Sequence, residues 1–316
     1  MTKHKLGLQM GMLLVSGFLL TSCFTSEKTI TKDYEETFEG IKEIELDGKF
    51  LEVSYEGKSG EAEVYLDGFL EASESSGMEI SYRKSGSKLK IEVTGENEIS
   101  WNFSNHTKGY ISLTGPEDIK LNLTNGSGSI DVLNVVHKNI NLKVNSGSIK
   151  ATSLEVGDIQ LNASSGSISG EALTGKINCK VNSGSISLKD VVGNVDAVAS
   201  SGSLKIEEVK GAVNAQVNSG NIRLVNVEEL GELSASSGSI KAENSGLGSN
   251  TSLEANSGSI SIQTPSDLKT FNFDLKANSG SVSVGEQNSG KELDLDNGAS
   301  NTIRGKVSSG SIKIVN

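Results

Sequence analysis

Histidine is almost missing from this chain: His4, His106 and His137 are all there is. No His-Glu-x-x-His pair, Gly-x-Ser-x-Gly elbow or phosphate loop occurs. The many serines therefore lack a placed base, and a serine hydroxyl without one is a poor nucleophile. Arginine is limited to Arg83, Arg223 and Arg304, and acids such as Glu155, Asp158, Asp190 and Glu207 are scattered rather than clustered. These absences point to a protein that is not an enzyme, with no cofactor and no metal site. Two cysteines, Cys23 and Cys179, exclude a disulfide framework and a Cys-x-x-Cys motif. Aromatics are 4% of the chain and none lies between Ile111 and Thr270, which suits a thin structure better than a globular one. Cations are outnumbered, 29 against 40, for a net charge of -11. That balance argues against nucleic acid as a partner.

Glycine and serine are what the chain has in abundance, and they recur in order. Asn182-Ser183-Gly184-Ser185-Ile186 has counterparts centred on Gly128, Gly147, Gly166, Gly202, Gly220, Gly238, Gly258, Gly280 and Gly310. Successive centres lie 18 to 22 residues apart up to Gly280, and 30 residues separate Gly280 from Gly310. A fixed period of this size is the mark of a repeat architecture. Before each glycine, apolar residues alternate with polar ones, as at Ile140, Leu142 and Val144, or Val213, Ala215 and Val217. After it they alternate again, as at Ile186 and Leu188, or Ile222 and Leu224. Spacing by two puts side chains on one face of a strand. Each repeat reads as two short strands meeting at a Ser-Gly-Ser corner, where glycine tolerates the backbone angles. Gly157, Gly175, Gly193 and Gly211 mark the opposite corner. Serine and asparagine at the corner can form hydrogen-bonded ladders along the stack.

One such unit cannot bury its apolar face, but stacked units can. The expected fold is all-β: a single-stranded parallel β-helix, or β-solenoid, with about ten rungs of 18–20 residues and a length of roughly 50 Å. Parallel crossovers favour the right hand, so a right-handed coil is expected. Residues 116–316 hold the repeats. Residues 37–115 are a less regular β part of the same domain, 37–316, and cap the rod. Cys179 falls in an inward column and reads as a buried free thiol. The chain stops within a strand, Ile312 to Val315, and an open last edge would invite an end-to-end homo-oligomer.

Residues 1–22 read as a signal peptide, with Lys3, His4 and Lys5 before an apolar run from Leu6 to Leu20. Leu20-Thr21-Ser22-Cys23 resembles the bacterial lipobox. That resemblance implies lipid attachment at Cys23 and a membrane-anchored lipoprotein. Residues 23–36 are polar and read as a flexible tether. Trp101, Phe103 and His106 form the candidate ligand-binding segment, since aromatic rings beside polar groups suit stacking on a sugar; packing within the cap is the alternative.

With these residues in place, the chain resembles the bacterial putative-adhesin family of β-solenoid envelope proteins. Phe38 to Val53, the entry from Ile119 to Ile130 and the Ser-Gly-Ser-Ile copies carry the likeness, over about residues 38 to 316. The resemblance implies an envelope solenoid with an adhesion role and supplies no catalytic residues. The expected function is a lipid-anchored, non-enzymatic adhesin or surface-interaction protein with a glycan or protein ligand. The alternative is an envelope-stress or signalling component that binds a partner protein within the envelope. Outer membrane, cell surface and periplasm all remain open as locations.

Overall fold

A computed structural model describes residues 28–95 and 107–316. Its first part comprises β1 (Thr29–Glu39), β2 (Glu43–Asp47), β3 (Glu52–Lys58), β4 (Glu63–Ser73), β5 (Glu79–Ser85), β6 (Lys88–Thr94) and β7 (Lys108–Pro116). The middle comprises β8 (Lys120–Asn125), β9 (Ile130–Val144), β10 (Ile149–Ser165), β11 (Ile168–Ser183), β12 (Ile186–Val192), β13 (Val195–Ser201), β14 (Leu204–Ser219), β15 (Ile222–Ser237), β16 (Ile240–Glu243), β17 (Leu247–Ser257) and β18 (Ile260–Gln263). The last part comprises β19 (Asn272–Ser279), β20 (Val282–Val284), β21 (Gln287–Ser289), β22 (Glu292–Leu295), β23 (Thr302–Ser309) and β24 (Ile312–Val315).

From β8 to β18 the chain winds as a parallel β-solenoid. Ile130, Ile149, Ile168, Ile186, Leu204, Ile222, Ile240 and Ile260 stack in register after the Ser-Gly-Ser corners. Ile140, Ile159, Ile177, Val195 and Val213 stack likewise before them. All of these are buried, and between them they form one continuous apolar column. Branched aliphatic side chains suit this place, because each packs on its own copy above and below. Cys179 lies in the column, and burial pushes its thiol up to about 12.

The coil has three sides, where the alternation suggests two. Asn134, Ser153, Ala172, Asp190, Glu208, Asn226 and Asn244 each have φ between 47° and 58°. This left-handed residue stands six positions after the central glycine of its repeat. It bends the strand and turns Val135, Leu154, Leu173, Val191, Val209 and Val227 into the core. At the Ser-Gly-Ser corner the glycine is obligatory for two reasons. Gly202 has a φ of 139°, and a Cβ on it would overlap the carbonyl oxygen of Gly184 one rung away.

The two ends depart from sequence order. After the Gly258 rung comes the Gly310 rung and only then the Gly280 rung: Gly258 N–H donates to Ser309 O and Gly310 N–H to Ser279 O, both at 2.9 Å. Strand β24 therefore lies between β18 and β20, and β23 between β17 and β19. The expectation of an open last strand is corrected here, and with it the premise for end-to-end association. The outer edges of β19 and β20 are covered by antiparallel β22 and β21. At the other end β2 and β3 lie inside, between β6 and β8 and between β7 and β9. Antiparallel β5 and β4 then cover β6 and β7, and β1 covers β4. On the side that follows the Ser-Gly-Ser corner, the parallel strands run β7, β3, β9, β10, β11, β12, β14, β15, β16, β18, β24, β20. At about 4.8 Å per step that is a rod of roughly 50 Å.

The tether expected over residues 23–36 is also corrected. From Thr29 onward it is strand β1, paired with β4 from Thr29↔Ser73 to Glu39↔Glu63. Ile30, Tyr34 and Phe38 sit on one side of β1 among its charges, and Tyr34 and Phe38 pack against the core. Phe38 meets Tyr82 edge-on at 5.5 Å, and Tyr34 Oη accepts the Ile80 N–H at 3.0 Å. The aromatics thus close the end of the rod.

Candidate functional site

The third side of the coil is short, with one outward residue per rung. In the first rungs these are Val136, Glu155, Thr174 and Val192. Val136 and Val192 are 41% and 49% exposed, unusual for valine in a sheet protein. Beside them runs the left-handed corner, Asn134, Ser153 and Ala172. The end of β3 with the first residue after it, Glu56 to Ser59, and Glu117 wall the other side. Together they enclose an open groove of about 660 Å³ along the rod. Val136 N–H donates to Glu117 O at 2.9 Å, which fixes that wall to the floor. Lys58 lies 3.7 Å from Glu56, so the groove carries three carboxylates, Glu56, Glu117 and Glu155, against one cation. It offers hydrogen-bonding groups and small apolar surfaces in a line, which suits an extended chain.

The Ser-Gly-Ser corner is held by its backbone. Gly184 N–H donates to Ser201 O and Gly202 N–H to Ser219 O, both at 2.9 Å. Ser183, Ser185, Ser201 and Ser203 point to solvent. Side chains link rungs at this corner in two places, Ser311 Oγ to Ser259 Oγ at 3.4 Å and Ser239 N–H to Asn221 Oδ1 at 2.9 Å; other such bonds lie away from it. Asn141 Nδ2 donates to Asn122 Oδ1 at 2.8 Å, Asn214 Nδ2 to Asp196 Oδ1 at 2.8 Å, and Asn244 Nδ2 to Asn226 Oδ1 at 2.9 Å. Asp190 and Glu208 occupy the same left-handed position on adjacent rungs. Hydrogen bonding to Asp190 and its charge push the Glu208 carboxyl above the usual range. Among the described residues no three His, Cys, Asp or Glu side chains converge as metal ligands. No helix among them is long and apolar enough to cross a membrane.

Cys23, Trp101, Phe103 and His106, singled out in the sequence, lie outside the described residues. The groove residues were not singled out. The recurrence of Asn or Asp at 134, 190, 226 and 244 was the available signal, because these residues enter the left-handed region most readily after glycine.

A family model for a repeat domain of unknown function matches residues 41–230 and again 170–315. The chain belongs to the Toastrack DUF4097 family. The two matched stretches of this Toastrack chain overlap over the most regular rungs, where one coil can stand in for the next. A solved structure from Parabacteroides merdae, named a "putative adhesin", is similar with a TM-score of 0.50 at 15% identity, covering 92% of this chain and 98% of that one. Another "putative adhesin", from Bacteroides fragilis, has a TM-score of 0.38 at 14% identity, with the same coverage. A "putative lipid binding protein" from Parabacteroides distasonis has a TM-score of 0.34 at 15% identity, again with 92% and 98% covered. At such identities the P. merdae likeness is one of fold. No curated protein matches the chain.

Proposed function

We propose that this Toastrack protein is a non-enzymatic interaction module of the bacterial envelope, anchored by lipid on Cys23 and engaging a glycan or protein ligand along its rod. The observation that carries this reading is the surface itself: regular solvent-facing columns and a shallow open groove on a rigid solenoid. Extended surfaces of this kind are what stacked repeats use for binding. The name carried by the P. merdae structure agrees with it. Because β1 begins at Thr29, little chain separates Cys23 from the cap. The stretch from Cys23 to Lys28 spans at most about 18 Å, so the rod would stand close to its membrane.

Protease shaving of intact cells tests the proposal, with mass spectrometry of the released peptides and of the residual N-terminus. Release of peptides from residues 28–316 by sealed cells, and an acylated Cys23, are expected. Protection until lysis would sink the adhesin reading and favour a partner inside the envelope. An unmodified Cys23 would remove the anchor.

A further inference from the structure

We propose that the outward face of the N-terminal sheet, strands β1, β4, β7 and β3, binds a lysine- or arginine-rich polypeptide segment of a partner protein. This deepens the interaction reading above by naming one surface and the chemistry it takes.

The register of the four strands sets the face in rows. One row is Asp33, Phe69, Tyr110, Glu52. The next is Glu35, Asp67, Ser112, Ser54. Phe69 and Tyr110 lie nearly parallel, with ring centroids 6.1 Å apart, and Tyr110 is among the exposed large side chains. The Tyr110 hydroxyl donates to Asp67 at 3.3 Å, which holds the ring across both rows. An aromatic pair is thus framed by a carboxylate at each end and two more alongside.

Among the described residues the nearby cations are engaged elsewhere. Lys108 is taken by Glu71 at 3.1 Å and Lys58 by Glu56 at 3.7 Å. Among the described residues Asp33, Glu35, Glu52 and Asp67 form no ion pair. Glu35 stands directly opposite Asp67, and like charges opposite each other weaken a sheet. The fold carries that cost, and a cation laid over the pair would relieve it.

A lysine or arginine side chain meets both halves of the surface. Its stem packs on the rings and its charged head reaches the acids, and a cation over an aromatic face gains further. A metal ion fits less well, since the carboxylates are spread over rows and do not converge. A second copy of the chain would need a free cationic row. Lys205, Arg223 and Lys241 stack on adjacent rungs, but they already pair with Glu207 and Glu243.

The test is fluorescence anisotropy on the purified mature protein, with labelled decalysine and decaarginine as probes and decaglutamate as control. Binding of the two cationic peptides only is expected, weakening as salt rises. The triple variant Asp33→Asn, Glu35→Gln, Asp67→Asn should bind at least about tenfold more weakly. Phe69→Leu with Tyr110→Leu leaves the charge unchanged and should cost about threefold or more. Neutralising Asp158, Glu171 and Glu254, acids elsewhere on the rod, should change nothing. All these side chains lie outside the core, and circular dichroism checks that each variant folds. Equal binding by wild type and the first triple variant, or equal loss in the distant one, would overturn the proposal. So would a concentration-dependent mass in light scattering that the first triple variant abolishes, which would make a second copy the occupant. None of these outcomes depends on where the rod stands in the cell, so this inference and the envelope reading can fail separately.

Discussion

Cys179 occupies an aliphatic position between Ile177 and Val181 and is buried. Its thiol, pushed up to about 12 by burial, is neutral and shielded at neutral pH. Iodoacetamide should therefore leave the Cys179 peptide unmodified in the native protein and modify it fully in urea, as read by mass spectrometry. Glu208 is the opposite case, an exposed carboxyl held beside Asp190. Its folded-state pKa is raised, so the folded form holds its proton to higher pH than the unfolded form. The associated stability is present at low pH and is lost as pH rises through that raised value. Glu208→Gln removes the clash: it should melt above wild type at pH 7, and the difference should vanish below about pH 4. An unchanged gap across that range would show that Asp190 is not the cause.

The element that matters is the coil, and its parts are unequally tolerant. Leu142 and Val217 are fully buried in the stacked columns. An aspartate at either site forfeits roughly 1.5–3 kcal/mol of apolar burial. It also buries a carboxylate with no partner, which adds about as much again. Ser148, exposed at its corner, should lose less than about 0.5 kcal/mol as alanine. Gly202→Ala should cost about 1–3 kcal/mol from its backbone angle alone, and more from the overlap with Gly184 O. Urea denaturation of the four variants ranks these effects, and a neutral Leu142→Asp would disprove the inward register. The third corner asks less of its residue. Asn, Ser, Ala, Asp and Glu all hold the left-handed angle there, so the Asn and Asp copies announce it on only some rungs.

At the scale of the whole molecule, the order of the last rungs is the feature with most consequence. A chain cut after Ala299 loses β23 and β24, which separate β19 and β20 from the rest. Residues 271–299 should then become sensitive to chymotrypsin, exposing Phe271 and Phe273, while residues 107–263 stay protected. If the rungs stacked in sequence order, the same cut would leave residues 272–284 protected. Both ends share the device of an inner terminal strand pair beneath an antiparallel cover. It leaves no parallel edge free among the described residues at the C-terminal end, since β21 and β22 lie over it.

The sequence by itself determined the parallel solenoid, its period and its inward columns. In such a stack each strand's neighbours are its own copies, so the same residue types must return at the same interval. Cys179 could be placed in the core on that ground alone. Which copy lies next to which was decided only by the tertiary structure. The rungs of Gly258, Gly280 and Gly310 present the same Ser-Gly-Ser backbone and similar aliphatic rows, so either neighbour can satisfy the ladder. The choice falls to the segment between Gly280 and Gly310, which folds back as β21 and β22 over the outermost strands and leaves β23 and β24 to fill the rung beneath. The groove arises in the same way. Its walls come from residues near 57, 117, 134 and 155, and only coiling brings them together.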